Sequence, residues 1–247
     1  MDLGISGRRA AVAAASDGLG YASAAALAEE GVHVAICGRD RGRIEEAATR
    51  IGHSCVPLVC DVSSAAGGDG FVRAAEEALG GVDIVVANSG GPPPGTFASA
   101  AVDLYAPALD LSLLSVVGMC KAAVPAMQER RWGRVVAITS VAVRQPIATL
   151  ILSNTARAGL TGFLKTVARE VAADGVTVNS VQPGFHGTAR MAALYGGADI
   201  SSLGVPAGVL GVPADLGAVV AFLCGDQAKF VTGVQLHVDG GSYAGLQ

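Results

Sequence analysis

Seven short apolar runs punctuate the chain: Arg9–Ala14, His33–Gly38, Cys55–Cys60, Ile84–Asn88, Val135–Thr139, Val176–Val181 and Val234–Val238. Several are unbroken Val, Ile, Ala and Cys stretches with no polar alternation, the pattern of strands covered on both faces. Between them lie segments of helix length and period, at Tyr21–Glu30, Arg41–Ile51, Gly70–Leu79 and Asn154–Ala173. Strand and helix alternating from end to end predict an α/β fold, a doubly wound parallel β-sheet of about seven strands with helices on both faces. No composition break, Pro/Ser linker or internal repeat divides the 247 residues. A single domain over 1–247 is expected.

Composition narrows the function classes. Hydrophobic residues make up 51% of the chain. The longest apolar stretch, Leu111–Met127, is nevertheless broken by Lys121 and preceded by Asp103 and Asp110. It reads as a buried or interface helix, and no membrane span is expected. The first residues lack a basic segment followed by an apolar one, so no secretory signal is expected. A net charge of −4 without a Lys/Arg run argues against a nucleic-acid partner. Five cysteines, an odd number with no C-x-x-C pair, read as free thiols and predict a cytoplasmic location. His53, Cys55 and Cys60 only flank a strand, and no metal site is expected there.

The candidate chemistry begins after the first strand. Ala14, Ser16, Asp17, Gly18, Leu19 and Gly20 lie in the turn that opens the first helix. Gly18 and Gly20 permit a tight turn, and the helix N-terminus would offer free N–H groups to a pyrophosphate. A glycine pair alone is weak in a chain with 34 glycines; its place between first strand and first helix makes it specific.

Four further segments follow in order: Asp61-Val62 after the third strand, Asn88-Ser89-Gly90-Gly91 after the fourth, Pro183-Gly184 with Thr188, and Thr232-Gly233 followed by Asp239-Gly240-Gly241. With the turn, which is similar to a T-G-x-x-x-G-x-G motif with Ala13 and Ala14 replacing Thr and the first Gly, these resemble the short-chain dehydrogenase/reductase family along the whole chain. The resemblance implies a Rossmann-type fold and reductase chemistry of the 3-oxoacyl-(acyl-carrier-protein) reductase type. It also implies that Asp61 and Val62 meet adenine, that Asn88, Ser89 and Gly90 line the cofactor, and that Pro183, Gly184, His186 and Thr188 border the nicotinamide.

In that family the residue ending the second strand selects the dinucleotide. Here Cys37-Gly38-Arg39 offers no acid, and Arg39 can grip a 2′-phosphate bidentately. NADP(H) is favoured over NAD(H), although Asp17 places a negative charge on the same side. Arg39 could instead simply precede the helix that Asp40 and Arg41 begin.

The catalytic positions depart from the family. Ser140, ending the fifth strand, matches its carbonyl-polarising Ser. Where Tyr-x-x-x-Lys is usual, the chain reads Ser153-Asn154-Thr155-Ala156-Arg157, and counting back from Lys121 and Pro125 puts Ser112 at the Asn position. Ser153 and Arg157, four apart, face the same way on a helix; Ser153 also suits a helix N-cap. A phenol ionises near pKa ~10, whereas an aliphatic hydroxyl is a far weaker acid. Arg stays protonated and cannot relay a proton, but it can hold ribose hydroxyls and favour an alkoxide. His186 and Tyr195 are substitute proton donors to consider.

Residues 188–213 take the place of the family's substrate lid. Their apolar character suggests a small apolar or acyl-thioester substrate, and Gly91–Gly95 with its three prolines makes a stiff rim. Three functions fit: an NADP(H)-dependent reductase with a nonstandard proton donor, a non-catalytic dinucleotide-binding subunit or sensor, or a non-redox lyase or isomerase. The resemblance further implies a homo-tetramer or dimer.

Overall fold

Strands without a polar face need cover on both sides, and in the computed structural model the inner strands have it, whereas Pro57 and Val59 on an edge strand are exposed. The structure describes residues 1–196 and 200–246. The strands are β1 (Arg9–Val12), β2 (His33–Gly38), β3 (Val56–Val59), β4 (Ile84–Ala87), β5 (Gly133–Ile138), β6 (Val176–Pro183) and β7 (Gln235–Val238). All pair in parallel in the order β3-β2-β1-β4-β5-β6-β7. The helices are α1 (Gly18–Glu29), α2 (Arg41–Ile51), α3 (Ala65–Leu79), α4 (Tyr105–Leu109), α5 (Ser115–Glu129), α6 (Ile151–Val171), α7 (Ala189–Tyr195) and α8 (Pro213–Cys224).

Alternate strand residues feed two cores. Ala10, Val12 and Ile36 pack with Leu27 of α1, Ile44 of α2 and Leu216 of α8. Ala11, Ala35 and Val85 pack with Phe71 of α3, Met119 of α5 and Leu160 of α6 on the other face. The expected doubly wound single-domain architecture is therefore present. Asp83 anchors its centre: Arg9 Nε and Nη2 donate to the carboxylate at 2.8 and 2.9 Å, tying β1 to the start of β4.

The long apolar stretch is one helical run over Val102–Glu129, long and apolar enough by length and composition to cross a membrane. Half of its apolar window is buried in the molecule. Between α4 and α5 it widens into a π-helical turn at Asp110–Leu114, which a regular apolar period does not foretell. Helix α6 begins at Ile151 with Leu150 at its N-cap, so Ser153 lies inside the first turn and does not cap it. That half of the sequence expectation is corrected. Of the 188–213 segment, α7 and a short 3₁₀ turn at Ile200–Leu203 are seen; residues 197–199 lie outside the described residues.

Candidate active site

Strand order reverses between β1 and β4, so the loops leaving these neighbours diverge and open a crevice at their C-terminal ends. The Asn88 amide donates to the Ala14 carbonyl at 3.1 Å and spans that gap. Gly20 packs beneath the same contact: a Cβ there would come within 2.6 Å of the Ala14 oxygen and 2.8 Å of Asn88 Nδ2. Gly18 takes φ +62°. Ala14 takes φ +48°, a region that L-residues with a Cβ enter at a cost of about 1–2 kcal/mol. Ala14 thus adopts a glycine-like backbone without being glycine. Asp17 caps α1, its carboxylate accepting from Gly18 N at 2.8 Å.

The crevice holds a cleft of about 380 Å³. Ala14, Asp17, Gly18 and Leu19 form one wall, with Asn88, Ser89 and Gly90 beside them. Ser140, Ser153, Arg157, Pro183 and Thr188 line it as well. A second hollow adjoins it across Ala14 and Gly90 and is lined by Ser16, Arg39, Asp61 and Val62. Arg39 is exposed and, among the described residues, has no ion-pair partner; Asp40 caps α2 through Arg43 N. An apolar cavity of about 170 Å³ meets the cleft at Ser140 and Thr188 and takes in Gly184, His186 and Tyr195.

Ser140 stands two residues past the end of β5 and caps a 3₁₀ turn, its Oγ accepting from Ala142 N at 3.1 Å. Arg157, four residues beyond Ser153 on α6, is buried, and its Nη1 donates to the Ile138 carbonyl at 2.8 Å. Burial, reinforced by the charge of Arg190, depresses its pKa to about 10. His186 is also buried; desolvation lowers its pKa, and Nδ1 lies 3.3 Å from Gly184 O. Tyr195 packs edge-on against Phe185 at the apolar cavity.

Ser112 stands apart. It is buried in the π turn, its hydroxyl lacks a partner among the described residues, and it is absent from the cleft wall. Conversely, Arg43 and Arg190 line the cleft although sequence reasoning passed over them. Arg190 stands two residues after Thr188, which caps α7, and that cap was its available signal.

The cradle suits a dinucleotide in most respects: a helix N-terminus at the switch point, an open turn and an exposed Arg at the far end. The Ala14 methyl and the Asp17 carboxylate are the features that fit less well.

Comparisons agree with this geometry. A family model described as enoyl-(acyl carrier protein) reductase matches residues 13–243. The 3-oxoacyl-(acyl-carrier-protein) reductase FabG of Vibrio cholerae serotype O1 is 33% identical over 98% of this chain and 99% of its own. Among solved structures, L-sorbose reductase from Gluconobacter frateurii, complexed with NADPH and L-sorbose, superposes with a TM-score of 0.93 at 29% identity, covering 100% of both chains. An NADPH-bound short chain oxidoreductase from Pseudomonas aeruginosa PAO1 containing an atypical catalytic center superposes at 0.88 with 28% identity, over 97% of this chain and 98% of that one. Matches that run from end to end lead where the turn at the switch point already led: the chain belongs to the short-chain dehydrogenase/reductase family.

Proposed function

We propose that the protein is an NADP(H)-dependent reductase of a carbonyl compound, a 3-oxoacyl thioester or another apolar ketone. The observation that carries this reading is the convergence of Ser140, Ser153 and Arg157 on one cleft that the phosphate-binding turn also lines. NADPH-bound relatives support the choice of cofactor, as does the exposed Arg39, which has no ion-pair partner among the described residues and would take the 2′-phosphate.

NADPH held by the turn at Gly18 and by Arg39 would supply the hydride. Ser140 donates its hydroxyl to the carbonyl oxygen and holds it in place. Arg157 holds the ribose hydroxyls, and its fixed positive charge favours the developing alkoxide in a desolvated site. Ser153 stands where a proton donor is needed and is a weak one. Loss of a general acid costs about 10²–10⁴ in rate, so slow turnover is expected.

A second reading, a dinucleotide-binding subunit without turnover, draws on that weakness and on the burial of Ser112 away from the cleft. NADPH oxidation with a panel of 3-oxoacyl thioesters and apolar ketones separates the two. Wild type is compared with the Ser112→Asn, Ser153→Tyr, Arg157→Lys triple variant, with NADPH binding measured in both. Wild-type turnover supports the reductase; silence with intact NADPH binding supports the subunit.

A further inference from the structure

Two arginines stand near the reacting centre, and among the described residues no acid pairs with either. They are Arg157 and Arg190, and both line the main cleft. Asp17 is the one acid among the described residues lining that cleft, and its carboxylate is engaged at the N-terminus of α1. Arg190 reaches from the first turn of α7 across to the proline loop, where Nη2 donates to the Pro92 carbonyl at 2.8 Å. That single bond leaves most of its planar fork of donors free.

The same side chain belongs to the apolar cavity. Val141, Ile147, Leu150, Met191 and Leu194 line it, and among its described lining residues Arg190 alone carries a fixed charge. At about 170 Å³ it is smaller than the roughly 300–1,000 Å³ of ordinary ligand pockets. A long acyl chain does not fit such a space. An apolar pocket with one cation on the wall it shares with the cleft is complementary to a short apolar body ending in a single anion. An anion placed there also offsets the mutual repulsion of the two guanidiniums, which falls on Arg157 in its buried site.

We infer that the substrate is a small carbonyl compound with an apolar body and a carboxylate, and that Arg190 receives the carboxylate through its guanidinium. The carbonyl half of this statement rests on the reductase reading; the carboxylate half requires binding only. A competing source of negative charge is the cofactor diphosphate, and the experiment distinguishes the two.

Calorimetric titrations of the protein, with and without saturating NADPH, use pentanoate and the isosteric neutral pentanamide as probes. In the NADPH-bound protein pentanoate is expected to bind at least tenfold more tightly. Arg190→Gln brings the ratio below twofold, Arg190→Lys keeps most of it, and NADPH affinity stays within threefold in both. A wild-type ratio below tenfold, absent pentanoate binding, or a preference that survives Arg190→Gln overturns the inference. So does a loss of NADPH affinity beyond threefold, which would assign the arginine to the cofactor phosphates. Carboxylate preference with no NADPH oxidation, short oxo acids such as 4-oxopentanoate included in the panel, would end the reductase reading and leave the carboxylate half of this one standing. Turnover of neutral ketones with no carboxylate preference would do the reverse.

Discussion

The Arg157 guanidinium donates to the Ile138 carbonyl, 2.8 Å away, and so fastens α6 to the last residue of β5. This contact fixes the spacing between the strand end that carries Ser140 and the helix turn that carries Ser153. It also places a full positive charge in a buried site with no acid as partner among the described residues.

Arg157→Met removes that charge. The folded pKa of about 10 lies below the ordinary value of 12.5, so the folded state is penalised at every pH below about 10. The penalty fades only as pH rises from there toward 12.5. Against this stands one lost charge-assisted hydrogen bond, about 1.5–3 kcal/mol. The cofactor-free variant should be more stable by ~0.5–2 kcal/mol near neutral pH, a melting temperature higher by about 1–8 °C. A melt lower than wild type would show that the Ile138 contact outweighs the desolvation.

Ala14→Gly relieves the left-handed backbone at the phosphate turn. The gain of about 1–2 kcal/mol is partly offset by about 0.5–1 kcal/mol of extra freedom in the unfolded chain. The net gain of about 0–1.5 kcal/mol corresponds to a rise in melting temperature of up to about 6 °C, and tighter NADPH binding is expected with it. Thermal melts and fluorescence titration measure both.

Arg39→Ala tests the dinucleotide choice. Loss of a bidentate charge-assisted contact to a 2′-phosphate should weaken NADPH binding by about 10–100-fold. NADH affinity should remain within twofold. Equal losses for the two cofactors would mean that Arg39 serves the loop rather than the phosphate.

His186→Asn addresses pH dependence. Burial lowers the His186 pKa below its ordinary value. The unfolded chain therefore binds more protons than the folded one as pH falls through about 6.5, and stability declines below that point. The variant should show a flatter decline below about pH 6.5 in urea melts. An unchanged slope would place the acid sensitivity in other groups.

Much of the fold was legible because strands buried on both faces advertise themselves as unbroken apolar runs. Val135 to Thr139 was read within two residues of the observed β5, and Arg41–Ile51 coincides with α2. The phosphate turn was legible because its residues must follow the first strand directly. Arg190 was not: it is an ordinary surface-type residue in a short helix, and only the crossing of the cleft to Pro92 reveals its place. The π turn was hidden for a related reason. Asp110-Leu-Ser-Leu-Leu has the composition of any helix, and the extra residue per turn that buries Ser112 leaves no mark on the apolar period. Ser153 misled as a cap because Ser suits that place, whereas α6 starts two residues earlier with no side-chain cap.

Finally, the position of β1 between β2 and β4 has a consequence for synthesis. Strands β2 and β3 follow β1 closely, so one edge of β1 is satisfied early. Its other edge must wait for β4, roughly seventy residues later in the chain. At roughly 5–20 residues per second that interval is several seconds. During it a strand that is apolar beyond Arg9 presents an open ladder of N–H and C=O groups, an invitation to pair with another nascent chain. Expression yield should then depend on how quickly the ribosome traverses the α3 region, and slow codons between Val59 and Ile84 should favour aggregation of the newly made protein.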